Sequence, residues 1–477
     1  MIREPMQRIL INGAWVDAST PSSAAIANPA TGKPLDSVPD CGATDVARAV
    51  GAARDSVAEW SALGAEDRAA LLAAIARRLR AEGRELSLGL TRDAGKPPCE
   101  AADCLEAAAR VFERSAARAA GANRSGRVLA AIASHHFPFL GMALTVAPAI
   151  AAGDTVVFKP APQTSLSSLK LVEACAALPR GVINAVTGGE ETGRALIVHP
   201  DVAHTRFSGS QESGRRIAIR GKRIELLTGA RSVFIVCKEA DLERAVPAIA
   251  WERLTNAGRS CGSAQHLYAD RTIVAELAER MHQCIGFLDV DDPAKLPTDL
   301  GPLISLAAAN RVEDQVGRTL RAGARLILGG RRFRPSGLAG HFFQPTLLTD
   351  VKPGGVPTVE EILGPVITIT PVAGLSEALR LANESGCDGA SIYGSPGSVL
   401  AALEPLTSGT FRINDPDDAA DTASAGLGLP AGVRALLNGI AVRDGDARAS
   451  PKRIEAVPTV SIKPWWFPYL ERNRGCR

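Results

Sequence analysis

The chain opens on alternation. Residues 7–17, QRILINGAWVD, alternate apolar and polar side chains around Asn12-Gly13, a dipeptide that accepts the positive φ a tight hairpin needs. A second extended stretch, 24–38, is broken by Pro29 and Gly32. The texture then becomes helical. Segments 43–63, 66–82 and 99–119 are rich in Ala, Arg and Glu, and their apolar residues recur at helical spacing, as in Leu71, Leu72, Ile75 and Leu79. From about 128, short apolar runs alternate with helical stretches and Gly- and Pro-rich turns. The runs 128–133, 155–158, 181–186 and 204–207 read as buried strands, and their alternation with helices predicts β-α-β units and a parallel sheet.

A second α/β texture begins near 230. Strands are expected at 232–236, 264–268, 325–328, 366–372, 390–393 and 409–413, with helices at 242–254, 271–285, 307–322 and 375–383. Residues 440–458 look irregular, and the tail KPWWFPYLERNRGCR is aromatic. A length of 477 residues calls for two or three domains, and a hydrophobic fraction of 46% suits folded ones.

Charge and cysteine usage narrow the function classes. The 54 basic and 51 acidic residues leave a net charge of +3, with no electrostatic reason to expect nucleic acid or an anionic membrane as partner. The longest apolar stretches, such as 141–153, are too short to span a bilayer. The first residues, MIREPMQRILINGAWVDAS, lack the apolar core of a signal peptide, so a cytoplasmic protein is expected. Nine scattered cysteines form no C-x-x-C pair. Cys99 and Cys104 have no histidine pair beside them, so no metal site is expected and most thiols read as small core hydrophobes.

Chemistry enters at residues 255–261, TNAGRSC, followed by GSAQHLY. This stretch resembles the nucleophile loop of the aldehyde dehydrogenase superfamily, with Cys261 at the position of the catalytic thiol. Other segments similar to that family follow one another in order: INGAWVD at 11–17, ANPATG at 27–32, DAGKP at 93–97, FKPAPQTS at 158–165, GVINAVTGG at 181–189, FSGSQESG at 207–214, GPLIS at 301–305, GHFFQPTLLTDV at 340–351, EEILGPV at 360–366 and SGTFRIND at 408–415. The resemblance covers nearly the whole chain. It implies an aldehyde dehydrogenase-like α/β fold with two α/β domains, parallel-type sheets and a small oligomerisation element. The implied boundaries are a cofactor domain at 1–228, a catalytic domain carrying Cys261 at 229–440, and a C-terminal segment at 441–477 that returns to the first domain.

The implied reaction is oxidation of a small-molecule aldehyde to a carboxylic acid with NAD or NADP. A thiolate attacks the aldehyde carbon, hydride leaves to a nicotinamide, and water activated by a carboxylate releases the acid. Lys159 matches the lysine that contacts the cofactor ribose. Gly209 and Ser210, in FSGS, match the pyrophosphate site at a helix start, where free N–H groups gather. Glu361 matches the carboxylate on the nicotinamide-side ribose, with Leu363 in place of the usual Phe.

Four features depart from the family pattern. His136 stands where an Asn amide stabilises the oxyanion; a histidine can donate the same hydrogen bond. The general-base segment reads IELLTGA at 224–230: aligned from its left the base is Glu225, aligned from the following strand it is a leucine one or two places later. Pro162 replaces the glutamate that binds the adenosine ribose 2′-hydroxyl, which removes a barrier to NADP. The chain between about 120 and 128 is too short for the family's oligomerisation ribbon, so a homodimer rather than a tetramer is expected, with the aromatic tail at 465–469 packed on a protein surface. Two other readings stay open: resolution of the thioester by another thiol such as coenzyme A or by reduction, and a non-catalytic member retained as a binding or structural subunit.

Overall fold

A computed structural model describes residues 8–119, 126–209, 211–217, 223–228, 232–260, 263–295, 298–387, 389–395, 398, 402 and 410–413. The chain separates into two compact units, Met1–Thr228 and Gly229–Arg477.

The first unit starts with the expected hairpin, β1 (Ile9–Ile11) and β2 (Ala14–Val16), paired Ile9↔Val16 to Ile11↔Ala14. Its turn residues Asn12 and Gly13 take φ of 51° and 73°, the left-handed pair that a tight hairpin requires. The ribbon β3 (Ser23–Ala27) and β4 (Pro34–Pro39) follows, and then four helices: α1 (Ala43–Ala62), α2 (Ala65–Ala81), α3 (Gly83–Ala94) and α4 (Pro98–Arg118). The hydrophobic pattern gave α1, α2 and α4 but not α3. Glu82 leaves the helical path after α2, and α3 stops at Gly95, whose φ of 69° forms a left-handed cap. The α/β part comprises β5 (Val128–Ile132), α5 (Pro138–Ala151), β6 (Thr155–Lys159), α6 (Ser165–Ala174), β7 (Ile183–Ala185), α7 (Glu190–Val198), β8 (Val202–Gly209), α8 (Gln211–Ile217) and β9 (Arg223–Thr228). The sheet runs β2-β1-β7-β6-β5-β8-β9. The last five of these strands are parallel, and β1 of the opening hairpin pairs antiparallel with β7. From β5 the chain walks outward to β6 and β7, then returns to the other side of β5 with β8 and β9. The order therefore reverses between β5 and β8, where sheets of this kind open a ligand crevice at their carboxyl ends.

The second unit contains β10 (Ser232–Val236), α9 (Leu242–Leu254), β11 (Ala264–Asp270), α10 (Val274–Ile285), α11 (Leu306–Arg321), β12 (Arg325–Leu328), β13 (Arg332–Phe333), β14 (Phe342–Phe343), β15 (Thr346–Thr349), α12 (Val356–Val359), β16 (Val366–Val372), α13 (Leu375–Glu384), β17 (Gly389–Tyr393) and β18 (Thr410–Ile413). Its sheet order is β12-β15-β16-β11-β10-β17-β18, parallel except for β12. Buried side chains on both faces of β10, β11 and β16 explain the apolar run VFIV of β10 and the absence of a polar face on the other two. The helix expected from 271 begins at Val274, because Asp270 turns the chain by accepting from the Thr272 backbone N–H and hydroxyl.

A buried histidine crosses this sheet. His266 on β11 lies 2.7 Å from Thr368 Oγ1 through Nδ1 and 2.7 Å from Thr370 Oγ1 through Nε2. The Thr370 hydroxyl donates to the Val351 carbonyl, so it accepts from His266, and the ring is neutral with its proton on Nε2. Burial pushes the ring pKa down to about 3. The folded state thus disfavours protonation relative to the unfolded chain. Its stability contribution is complete above pH 6.5, the ordinary value, and is lost as pH falls from there toward 3. At pH 5 this single group is expected to cost about 2 kcal/mol. Urea unfolding at several pH values checks it: His266→Gln should flatten the slope between pH 6.5 and 5, and an unchanged slope would contradict the assignment.

Candidate active site

In the first unit, three of the expected site residues gather at the carboxyl end of the sheet. Lys159 ends β6, Gly209 ends β8, and His136 lies between β5 and α5. The ladder aligns Ile132 with both Lys159 and Phe207, and Phe207 with Leu226. Residues aligned on a parallel ladder share a face. Lys159 therefore points with Ile132 and Phe207 toward the side that packs on α1 and α7. Glu225 is one residue back from Leu226 and faces the opposite side. That is the side of α5, since a side chain on Gly141 of α5 would contact Ala133 and the Ser208 hydroxyl.

Lys159 is buried, its stem against Gly193 of α7, and its ammonium donates to the Pro160 carbonyl at 3.2 Å. Burial pushes its pKa down to about 8 against the opposing pull of Asp40. Beside it the turn Thr187-Gly188-Gly189 enters α7. Gly188 has φ of 137°, and a side chain there would collide with Thr192. A buried cation beside a bare glycine turn, at the end of a sheet that reverses order nearby, fits a nucleotide cofactor. Pro162 opens a short 3-10 turn at 162–164, two residues beyond Pro160.

His136 is 5% exposed and packs edge-on against His135, with ring centroids 4.2 Å apart. The next residue, Phe137, carries the Lys96 ammonium 4.6 Å from its ring centroid, and Lys96 pairs with Glu100 at 3.8 Å. Both charges are buried, as is Asp93, whose carboxylate accepts from the Ser167 N–H at 2.8 Å and is pushed up to about 7 by burial. The DAGKP segment is thus a buried polar cluster next to the histidine loop.

Glu225 accepts from Arg206 Nε on the neighbouring strand at 2.8 Å, with His204 Nε2 3.6 Å away. Both contacts are to Oε2. Oε1 has no hydrogen-bond partner among the described residues, and the side chain is one-third exposed.

In the second unit, the chain before Cys261 is an arch of three consecutive left-handed residues: Asn256 at φ 60°, Ala257 at 52° and Gly258 at 72°. Two of these are not glycine, a costly backbone that persists only where neighbours enforce it, commonly at functional sites. The enforcement is visible. Arg259 Nη2 donates to Asn256 Oδ1 at 3.0 Å and its Nε to the Asn256 carbonyl at 2.9 Å, while the Ser260 hydroxyl donates to the Thr255 carbonyl at 3.2 Å. Glu252 receives the Ala264 N–H at 3.1 Å, fixing the start of β11. Gly258 sits so close to the Gly364 carbonyl that any side chain would collide with it.

Gly364 belongs to the segment that carries Glu361 and leads into β16, the parallel neighbour of β11. This segment is held by α11. Gln315 donates to the Glu361 carbonyl at 3.1 Å, and Arg318 grips Glu360 with both terminal nitrogens, at 2.6 and 2.7 Å. The sequence reading missed Gln315, Arg318 and Arg253. The one signal for the last was the charged pair Glu252-Arg253 closing the apolar run AVPAIAW, which reads equally well as a solvated face.

Cys261 and Ser210 lie outside the described residues, as do 120–125 and the tail from 414 onward. The other described cysteines are all free. Burial pushes up the thiols of Cys41, Cys99, Cys104, Cys175, Cys237 and Cys284, which makes them inert at neutral pH. Among the described residues no group of His, Cys, Asp and Glu could hold a metal, and no helix is long and apolar enough to cross a membrane.

Two α/β units, one whose parallel sheet ends beside a buried lysine and a glycine turn and one with a strained, arginine-braced loop, define the class as α/β proteins with a crevice suited to a nucleotide. Comparison with known proteins makes the class specific: residues 15–430 match the Aldehyde dehydrogenase family, and the chain belongs to it. It is 33% identical over 403 residues to succinate-semialdehyde dehydrogenase [NADP(+)] GabD of Escherichia coli, covering 80% of this chain and 83% of that protein. It is also 33% identical over 434 residues to 3-sulfolactaldehyde dehydrogenase of Pseudomonas putida, covering 86% and 89%. Among solved structures, lactaldehyde dehydrogenase from Escherichia coli superposes with a TM-score of 0.83 at 30% identity, covering 87% of this chain and 92% of that one. The protein is an NAD(P)-dependent enzyme that oxidises an aldehyde to a carboxylic acid.

Proposed function

We propose that the oxidation runs through a covalent thioester on Cys261. The observation that carries this reading is the arch at 256–258, a strained backbone kept rigid immediately before the cysteine. The Cys261 thiolate attacks the aldehyde carbon, and the carbonyl becomes an oxyanion stabilised by a hydrogen bond from His136. When bound, NAD or NADP would supply the acceptor for the hydride lost from this carbon, which leaves a thioester on Cys261. Water attacks the thioester, Glu225 takes its proton, and the acid departs as the thiolate is restored. Arg206 orients the Glu225 carboxylate through Oε2 and leaves Oε1 for the water. Lys159, Gly209 and Ser210 would hold the adenosine and pyrophosphate portion of NAD or NADP, and Glu361 would hold the nicotinamide-side ribose.

The test is nicotinamide absorbance with the pure protein, both cofactors and a panel of aldehydes. Succinate semialdehyde and 3-sulfolactaldehyde, the substrates in the two relatives' names, head the panel. Nicotinamide reduction with at least one aldehyde is expected. With Pro162 in place of a carboxylate, NADP should bind within about tenfold of NAD, a gap of roughly 1.4 kcal/mol. A hundredfold preference for NAD in calorimetry would show that another residue discriminates. His136→Ala should lower kcat by about 10²–10³ and leave cofactor binding intact. An unchanged kcat would remove His136 from the oxyanion site.

We further propose a cytoplasmic homodimer. The seven cysteines among the described residues are free, which supports a reducing compartment. Light scattering that returns a tetramer would overturn the assembly.

A further inference from the structure

Arg253, near the end of α9, is fully buried, and it donates in two directions. Nη1 reaches the Gly258 carbonyl at 2.9 Å and Nη2 reaches the Ile362 carbonyl at 2.6 Å. The first carbonyl belongs to the arch before Cys261. The second follows Glu361. Ile362 lies 109 residues beyond Arg253 along the chain, yet one guanidinium clamps both segments. Burying such a cation is costly unless its donors are used, and here both terminal nitrogens are spent on backbone carbonyls of two different loops, while Nε has no partner among the described residues. A simple core contact would need neither the charge nor the fork. Gly258 and Gly364 complete the junction, since their backbones approach too closely for a side chain on Gly258.

We infer that Arg253 is a positioning residue that fixes the arch carrying the nucleophile against the loop carrying Glu361. On the proposed mechanism, on which this inference rests, one loop presents the carbon that loses hydride and the other seats the ribose of the acceptor. Hydride transfer depends steeply on the separation of those two partners, and a misplacement of about 1 Å can cost about 100-fold. Arg253 acts by setting that separation and touches neither reactant. Glu361 and Glu252 both lie close enough to oppose the loss of its charge that burial favours.

Two variants test the clamp: Arg253→Met, which keeps the aliphatic stem and removes both donors, and Arg253→Lys, which can reach only one carbonyl at a time. Amide hydrogen exchange reads the loops without any turnover. In Arg253→Met, the described amides of 256–264 and 360–366 should exchange together, at least about tenfold faster, while β10 and β17 keep their protection. Single-turnover reduction at saturating aldehyde and cofactor should fall about 10- to 100-fold, with a smaller change in the KM for cofactor. Arg253→Lys should recover part of the rate, and it also decides the matter if the methionine variant does not fold. Acceleration of only one loop, or of neither, overturns the clamp. So does an unchanged single-turnover rate, or a rate loss that lysine does not relieve. If the parent protein reduces no nicotinamide with any aldehyde, the mechanism fails, and the exchange result still judges the clamp.

Discussion

Replacing Cys261 by alanine is expected to remove aldehyde oxidation by at least about 10⁴-fold, the scale at which loss of a covalent nucleophile is felt. Cofactor binding by calorimetry and the melting temperature should stay unchanged. The expectation rests on the contrast among the cysteines. Six of those described have thiols pushed up by burial, whereas Cys261 follows a braced arch of left-handed backbone. Iodoacetamide should accordingly label Cys261 ahead of the others. Turnover within about tenfold of the parent would show that the reaction has no covalent stage at this residue.

The second large effect belongs to Glu225→Gln. If Glu225 takes the proton from the deacylating water, steady-state turnover should fall by about 10²–10⁴ while the first turnover of nicotinamide reduction survives as a burst. The thioester then accumulates because only its hydrolysis needs the base. The variant keeps an acceptor for Arg206, so fold stability should change by less than about 1 kcal/mol. Loss of the burst together with steady-state turnover would place Glu225 elsewhere in the reaction. Full activity with a lowered melting temperature would reduce it to a counter-charge for Arg206. The same experiment addresses the ambiguity in IELLTGA. On β9 Leu226 aligns with Phe207 and Glu225 with Arg206, so an alignment one place later turns the position to the face opposite Glu225.

Much of the architecture was readable in the residues. The strands at 232–236 and 366–372 and the helix at 242–254 fall where the apolar pattern put them, because these elements are buried on one stripe or on both faces. The ends with weaker pattern drifted: β8 starts at Val202, before the expected 204, and α10 starts at Val274, three residues after the expected 271. β15 escaped because TLLT is four residues beside a loop, too short to show a period. For the site, motif resemblance named Lys159, Gly209, Glu361 and Cys261. Physical pattern alone would have offered a lysine at a strand end, a turn glycine, a surface carboxylate and a small core hydrophobe. What no local pattern could supply is long-range pairing. Arg206 with Glu225, Gln315 and Arg318 with the Glu360-Glu361 segment, and Arg253 with two distant carbonyls exist only once the sheet has brought their elements together.

The central claim is a covalent acyl-enzyme on Cys261. It is tested most directly by mixing the Glu225→Gln protein with NAD or NADP and a substrate aldehyde, quenching in acid, and mapping the adduct by peptide mass spectrometry. The account predicts an acyl group on the peptide containing Cys261, formed in step with the nicotinamide burst and absent when cofactor is withheld. Nicotinamide reduction with no adduct on that peptide, or with the acyl group on another cysteine, would contradict it.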